Sequence, residues 1–374
     1  MKEKSLYIHI PFCKEKCYYC DFPSFSGKEY LMDCYMDALE KEINARVGDT
    51  PINTIFIGGG TPTHLHLKSL KKLSKIMKKI NFSNQGEFTI ECNPGTLNEE
   101  KLKVMKDMGI NRISMGLQAS QNNLLKILGR IHDYSDFQES FFLARREGFN
   151  NINVDLMFGL PNQSMYQWEE TLNKVTTLEP EHISAYSLII EEQTKFYKMF
   201  TEDKLNLPDE DLEREMYRVT IDILKTKGYR QYEISNFSKE EYECKHNLTY
   251  WNLDEYIGVG AAAHSYDNNK RIKNYIPIDK YIENMMKVGS AIQEVFVNSI
   301  KDNMEEFMFM GLRKIDGVDE GDFANRFATT LDEVYGDVIK KHISNELLCR
   351  EDNRLALTPR GIELSNYVMK DFIF

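Results

Sequence analysis

Six short apolar runs recur along the chain: Ser5 to Ile10, Thr54 to Ile57, Phe88 to Ile90, Ile113 to Leu117, Ile152 to Phe158 and Ile183 to Leu188. Runs of this length bounded by turn residues read as strands. The segments between them are long enough for helices, and 28–46 carries Leu31, Tyr35, Ala38, Leu39 and Ile43 at helical spacing. Strand and helix in alternation demand a parallel sheet, because a parallel neighbour is reached only through a long crossover. Six units fall short of the eight that close a barrel. The expected architecture is therefore α/β, a partial (β/α)6 TIM-like barrel with one side open.

Chemistry in such a barrel collects where the strands end. The first run ends at Cys13-Lys14-Glu15-Lys16-Cys17-Tyr18-Tyr19-Cys20, which places three thiols on one short loop. Thiolates ligate soft metals and iron–sulfur clusters, and a structural zinc would need a fourth ligand. His9 is a poor fourth ligand, since it alternates with Leu6, Ile8 and Ile10 as a strand residue. Three ligands, Cys13, Cys17 and Cys20, suit a [4Fe–4S] cubane with one iron left open. The second run ends in Gly58-Gly59-Gly60-Thr61, the third in Glu91-Cys92-Asn93-Pro94 and the fourth at Gln118, while the fifth contains Asp155 before Gly159-Leu160-Pro161. Glycines serve any tight turn, but opposite a cysteine loop they also let backbone approach a ligand, and Glu91 is positioned to accept from ribose hydroxyls.

Past the sixth run come a charged helix over 208–227, the segment His246-Asn247-Leu248-Thr249-Tyr250-Trp251, and the small-residue stretch Gly258 to His264. From about Asn303 the pattern is of short helices. Leu355-Ala356-Leu357 then leads into a helix capped by Thr358 with Pro359 at its first position, the pattern of a C-terminal winged-helix-like domain.

Against 47 basic residues stand 58 acidic ones, a net charge of −11 that opposes broad binding to phosphate backbones. No apolar run reaches the ~18–20 residues of a membrane span, and Met1-Lys2-Glu3-Lys4 runs into a strand without a signal-peptide core. A cytoplasmic chain without nucleic-acid partner or membrane span is expected. Cys34, Cys92, Cys244 and Cys349 form no second motif and read as free buried thiols.

Six ordered motifs carry a resemblance. Tyr7 to Cys13, Gly58 to Thr63, Glu91 to Pro94, Ser114 to Gln118, Leu128 to Arg130 and Asp155 to Pro161 together resemble the coproporphyrinogen oxidase-like radical S-adenosylmethionine (SAM) proteins over nearly the whole chain. The resemblance implies a [4Fe–4S] cluster, SAM chelated to its open iron, a reductant for the cluster, and a radical SAM domain over 1–300 (barrel about 5–205, extension about 206–300) before the winged-helix-like domain over 301–374. By position, Tyr7, Gly59 and Glu91 match contacts to the cluster-bound SAM. Tyr19, Gly60, Thr61, Gln118, Arg130 and Asp155 match positions that bind a second SAM in the oxidases.

The oxidase branch carries a fourth cysteine where this chain has Phe22, and a long extension where twelve residues precede Cys13 here. The chain is instead similar to the branch of heme chaperones, which shares the His-Asn-x-x-Tyr-Trp motif at His246 to Trp251. That implies heme as cargo and heme-acceptor proteins as partners, with His246 as axial ligand and Tyr250 and Trp251 as flat faces for the macrocycle. His264 is a weaker second ligand candidate. Oxidative decarboxylation of coproporphyrinogen III is the alternative function. A nucleic-acid-binding regulator is a third, opposed by the acidity.

Overall fold

The computed structural model describes residues 3–374. Its first half runs β1 (Lys4–Ile10), α1 (Met32–Arg46), β2 (Ile52–Gly59), α2 (Leu67–Met77), β3 (Phe82–Cys92), α3 (Glu99–Met108), β4 (Arg112–Gln118), α4 (Asn122–Ile127), α5 (Tyr134–Arg146), β5 (Ile152–Phe158), α6 (Met165–Thr176) and β6 (His182–Ser187). All six strands pair in parallel and in chain order, as the alternation requires. β3 starts six residues before the expected Phe88, because its first half, Phe82 to Gln85, protrudes half-exposed and so reads as polar.

Along each strand the two faces differ. Leu6, Ile8 and Ile10, Ile55 and Ile57, Phe88 and Ile90, Ile113, Met115 and Leu117, Ile152, Val154 and Leu156, and Ile183 and Ala185 are buried in one core with the helices. The alternate positions are mostly polar and fall on the other face: Tyr7 and His9, Thr54, Glu87 and Glu91, Arg112 and Ser114, Asn153 and Asp155, His182 and Ser184. Strands of a parallel sheet packed on both faces read as continuous apolar runs. Here the period-2 polarity marks an inner face that lines a site.

The chain continues with α7 (Lys195–Thr201), α8 (Glu210–Thr226), β7 (Arg230–Glu233), β8 (Asn236–Ser238), α9 (Lys245–Trp251), β9 (Tyr256–Val259), β10 (His264–Asp267), β11 (Lys270–Asn274), α10 (Ile278–Lys287) and β12 (Ile292–Val297). β8 and β7 extend the sheet antiparallel beyond β6. On the far side β9 joins β1 in parallel, followed by β10, β11 and β12. The twelve-stranded sheet thus ends in β12 and β7 and stays open.

α11 (Ile300–Gly311), held at its start by the reciprocal Ser299 and Asp302 capping box, opens the C-terminal part. β13 (Val318–Asp319), α12 (Glu320–Phe327), α13 (Leu331–Ser344), β14 (Leu348–Glu351), β15 (Arg354–Leu357), α14 (Pro359–Glu363) and α15 (Ser365–Lys370) follow. Helix, strand, two helices and a two-stranded wing, joined in a β13-β15-β14 sheet, give the winged-helix order. Thr358 caps α14 as expected. A second core, with Phe307, Phe323, Tyr335 and Leu355, lies here. Among the described residues no helix is long and apolar enough to cross a membrane.

Candidate functional site

The three thiols sit on the loop leaving the C-terminal end of β1, and the loop is clamped from two sides. Tyr18 N–H donates to the Leu128 carbonyl at 3.0 Å, and Phe196 N–H on α7 donates to the Tyr18 carbonyl at 2.8 Å. Gly129, in the left-handed region at φ +72, passes under the Tyr18 ring so closely that a Cβ would lie 2.5 Å from it. The Leu-Gly-Arg motif therefore has a packing reason: only glycine lets the α4–α5 connection seat the cysteine loop.

Arg130 then turns inward. Its Nη2 donates to Gly116 O (2.6 Å) and Asn93 Oδ1 (2.8 Å), and its Nη1 to Cys17 Sγ (3.5 Å). Asn93 donates in turn to Thr61 Oγ1 at 2.9 Å, and Thr61 lies 3.6 Å from Cys13 Sγ. A guanidinium, an amide and a hydroxyl thus connect two of the thiols to strands β3 and β4. Asn93 is a site residue that the motif Glu91 to Pro94 contained but that spacing alone did not single out.

Gly59 and Glu91 form a second contact, with Gly59 N–H donating to Glu91 Oε2 at 3.0 Å. Gly59 adopts φ +110, and a Cβ there would lie 2.5 Å from the His9 ring. His9 is itself held by Tyr7 OH (2.9 Å) and by the Pro23 carbonyl (2.8 Å). Gly60 and Thr61 continue the ladder, donating to Ile10 O and Phe12 O. Gln118 has φ 74 at a register break in the β4–β5 ladder, which turns its side chain off the strand's alternation. Asp155 accepts from Ser114 Oγ (3.1 Å) and Asn153 Nδ2 (2.7 Å).

Burial, together with the negative charge of Asp155, pushes Glu91 up to about 7, against the Gly59 N–H that favours its ionised form. Burial also raises Asp155 and Tyr7. Tyr19 is raised by burial although Arg130 pulls it down, which puts Tyr19 beside that guanidinium. Cys20 is pushed up to about 11 by burial and by Cys17, and Cys13 is raised by burial.

Among the described residues, no three His, Cys, Asp or Glu side chains converge tightly enough to hold one metal ion. A cubane binds each thiolate at a different iron, so it asks for thiols spread over one loop and not drawn to a point. Cys13, Cys17 and Cys20 fit that demand. Tyr7, Gly59 and Glu91 lie on three adjacent strands, and Gly60, Thr61, Gln118, Arg130 and Asp155 come from the same and neighbouring strands and loops.

His246 lies apart from the residues around the cysteine loop. The residue lies in α9 at the opposite, N-terminal mouth of the barrel and is 1% exposed. Its Nδ1 is bonded to Thr54 Oγ1 and its Nε2 to Tyr250 OH, both at 2.8 Å, and its ring stacks on Phe56. Glu87 holds the start of the helix, accepting from the Lys245 and His246 N–H groups. Burial lowers the imidazole to about 3, with Arg112 adding to the effect. Both ring nitrogens are hydrogen-bonded here, so a ligand reaching either one would displace the Thr54 or the Tyr250 hydroxyl. Tyr250 and Trp251 do border open space, and His264 is exposed on β10. Of the four remaining cysteines only Cys92 and Cys244 are buried; Cys34 is exposed and Cys349 half-buried.

Residues 7–175 match the Radical SAM superfamily and residues 298–364 the HemN C-terminal domain. The chain is 41% identical to the heme chaperone HemW of Bacillus subtilis (strain 168), covering 99% of both proteins. It is 38% identical to the heme chaperone HemW of Lactococcus lactis, covering 100% of this chain and 98% of that one. Its fold is similar to the solved structure of coproporphyrinogen III oxidase (HemN) from Escherichia coli, a radical SAM enzyme, with a TM-score of 0.86, 22% identity, and coverage of 99% of this chain and 90% of that one.

Proposed function

Because this chain belongs to the HemW heme-chaperone family of radical SAM proteins, we propose that it holds a [4Fe–4S] cluster and SAM at the C-terminal mouth of its barrel, binds heme, and delivers heme to acceptor proteins in the cytoplasm. The full-length identity to curated heme chaperones carries the heme part of this reading. Likeness to the oxidase at 22% identity is a likeness of fold, and Phe22 stands exposed where the oxidases have a further cysteine.

When bound, the cluster supplies one electron at a time to SAM or to an acceptor. The chain's own residues prepare that centre. Arg130 sets a fixed positive charge against Cys17 and joins it to Asn93 and the β4 backbone. Gly59 brings its backbone to the site with Glu91 as its acceptor, which leaves Glu91 Oε1 for a ligand hydroxyl. Tyr18 and Tyr19 pack against Phe196 of α7, which anchors the loop against that helix. We assign 1–300 to the radical SAM unit and 301–374 to the winged-helix-like unit, supported by the Asn298–Ser299 turn between β12 and the capped start of α11.

The test uses anaerobically reconstituted protein. Heme titration followed by transfer to a heme-free acceptor should succeed. Coproporphyrinogen III with SAM and reductant should yield no protoporphyrinogen above background. Robust decarboxylation without heme transfer would overturn the reading in favour of the oxidase.

A further inference from the structure

Arg130 matches a position that contacts a second SAM in the oxidases, yet here its hydrogen bonds go to the chain itself. Nη2 donates to Gly116 O (2.6 Å) and to Asn93 Oδ1 (2.8 Å), and Nη1 reaches Cys17 Sγ at 3.5 Å. A guanidinium can only donate, and that fixes the direction of the bonds beyond it. Asn93 presents its oxygen to Arg130, so its Nδ2 is the donor to Thr61 Oγ1 at 2.9 Å. Thr61 Oγ1 accepts there, which leaves its hydroxyl hydrogen for Cys13 Sγ, 3.6 Å away. One cation therefore acts on two thiols, on Cys17 directly and on Cys13 through aligned donors.

We propose that Arg130 sets the reduction potential of the cluster, placing its charge against Cys17 and, through Asn93 and Thr61, a hydroxyl donor against Cys13. The inference rests on the reading of Cys13, Cys17 and Cys20 as cluster ligands, and gives Arg130 a part in that site besides contact with a bound molecule. Taking one electron from an external donor makes a thiolate-bound cluster more negative by one charge, with no bond made or broken. A fixed positive charge and hydrogen bonds to the sulfurs favour the more negative state, so they raise the potential. Burial raises the Cys13 thiol, and the Thr61 and Ser24 hydroxyls beside it oppose the rise, as donors to a thiolate do.

The surrounding backbone is shaped to seat this side chain. Gly116 lets the guanidinium approach β4, since a Cβ there would lie 3.2 Å from Arg130 Nη2 and 3.4 Å from Asn93 Oδ1. Gly129, just before it, turns the chain at φ +72. The guanidinium keeps its proton at every working pH, so its field on the thiolates is constant. Cys20 differs from the other two thiols: burial and Cys17 push it up to about 11, and the Phe22 backbone opposes them. The field that a side chain can set is thus concentrated on Cys13 and Cys17, and both lines of it start at Arg130.

The test is a redox titration with dithionite, followed by electron paramagnetic resonance, of intact anaerobically reconstituted protein, first without SAM and then with it. Wild type is compared with Arg130→Gln, Arg130→Lys and Thr61→Val. Arg130→Gln keeps a donor and loses the charge, so it should shift the reduction equilibrium tenfold toward the oxidised cluster, about 59 mV for one electron. Arg130→Lys keeps the charge without the fork and should fall between the two. Thr61→Val removes only the hydroxyl and should shift the equilibrium several-fold in the same direction. A potential unchanged in Arg130→Gln and Thr61→Val, or a shift that appears only once SAM is added, overturns the inference and leaves the cluster reading standing. Should Arg130→Gln take up no cluster, Thr61→Val decides by the same criterion. A wild type that takes up no iron and sulfide would overturn the cluster reading itself.

Discussion

Glu91→Gln separates what the barrel needs for stability from what it needs for its ligand. The carboxyl is raised from 4.5 to about 7 in the folded chain. An acid with a raised folded pKa releases its proton more readily when unfolded, so its ionisation destabilises the fold progressively as pH rises from 4.5 to 7, and fully above that. At roughly 1.36 kcal/mol per unit the span amounts to about 3 kcal/mol. The amide keeps an oxygen for the Gly59 N–H and has no charge to bury. Glu91→Gln should therefore approach wild type near pH 4 and exceed it by about 3 kcal/mol at pH 8. For 374 residues unfolding as one unit this is about 4 °C in Tm. The variant-minus-wild-type difference is the quantity to measure, by thermal denaturation of ligand-free protein across that range. His9, His132 and His246, lowered to about 4, 3 and 3, act with the opposite sign and destabilise both proteins as pH falls below 6.5, but they cancel in the difference. SAM retention should fall in the same variant, as expected of a site whose charge serves binding at the expense of stability. A difference that is constant with pH, or larger at pH 5, would refute the reasoning.

Cys17→Ala should abolish the brown absorbance of anaerobically reconstituted protein and leave its circular dichroism in place; full iron and sulfide content would remove Cys17 from the ligand set. Gly129→Ala places a Cβ 2.5 Å from the Tyr18 ring at φ +72, so it should cost about 1–3 kcal/mol and reduce cluster loading more than barrel stability, read as iron per folded molecule. His246→Ala strands Thr54 and Tyr250 and empties the space over Phe56, so Tm should drop by the equivalent of about 3 kcal/mol. Cluster absorbance per folded molecule should hold, and the heme Soret position of the surviving protein should not move.

The fold was legible because its signals are local and repeated. Each strand needed only a short apolar run, each crossover a helical stripe, and the parallel order followed from alternation. β9 was not legible: Tyr256 to Val259 is a four-residue strand that pairs with β1 across some 250 residues, and no local pattern announces such a partner. The cysteine loop was read from spacing and the strand-end motifs from their position, since a parallel barrel gathers one set of ends. What spacing could not supply was the wiring. Asn93 bridges Thr61 and Arg130, and His9 packs over Gly59, which only the register of adjacent strands reveals.

His246 stands apart from the other candidate site residues, and the reason lies in strand polarity. A histidine next to two aromatics has the right chemistry for heme, but chemistry at one point in a sequence does not say which mouth of the barrel it faces. The inner-face residues do. Thr54 and Glu87 are paired across β2 and β3 and lie upstream of Gly59 and Glu91, which sit at the C-terminal ends of the same strands. His246 takes its bonds from the first pair, so α9 is the plug that closes the mouth remote from the cluster. A plug must satisfy every buried polar group it carries, and His246 is fully engaged for that reason. The helix becomes open to a ligand only where it leaves the barrel, at Trp251, whose indole N–H has no partner. The same six-residue motif thus has one end fixed inside the barrel at His246 and another, at Trp251, that borders open space.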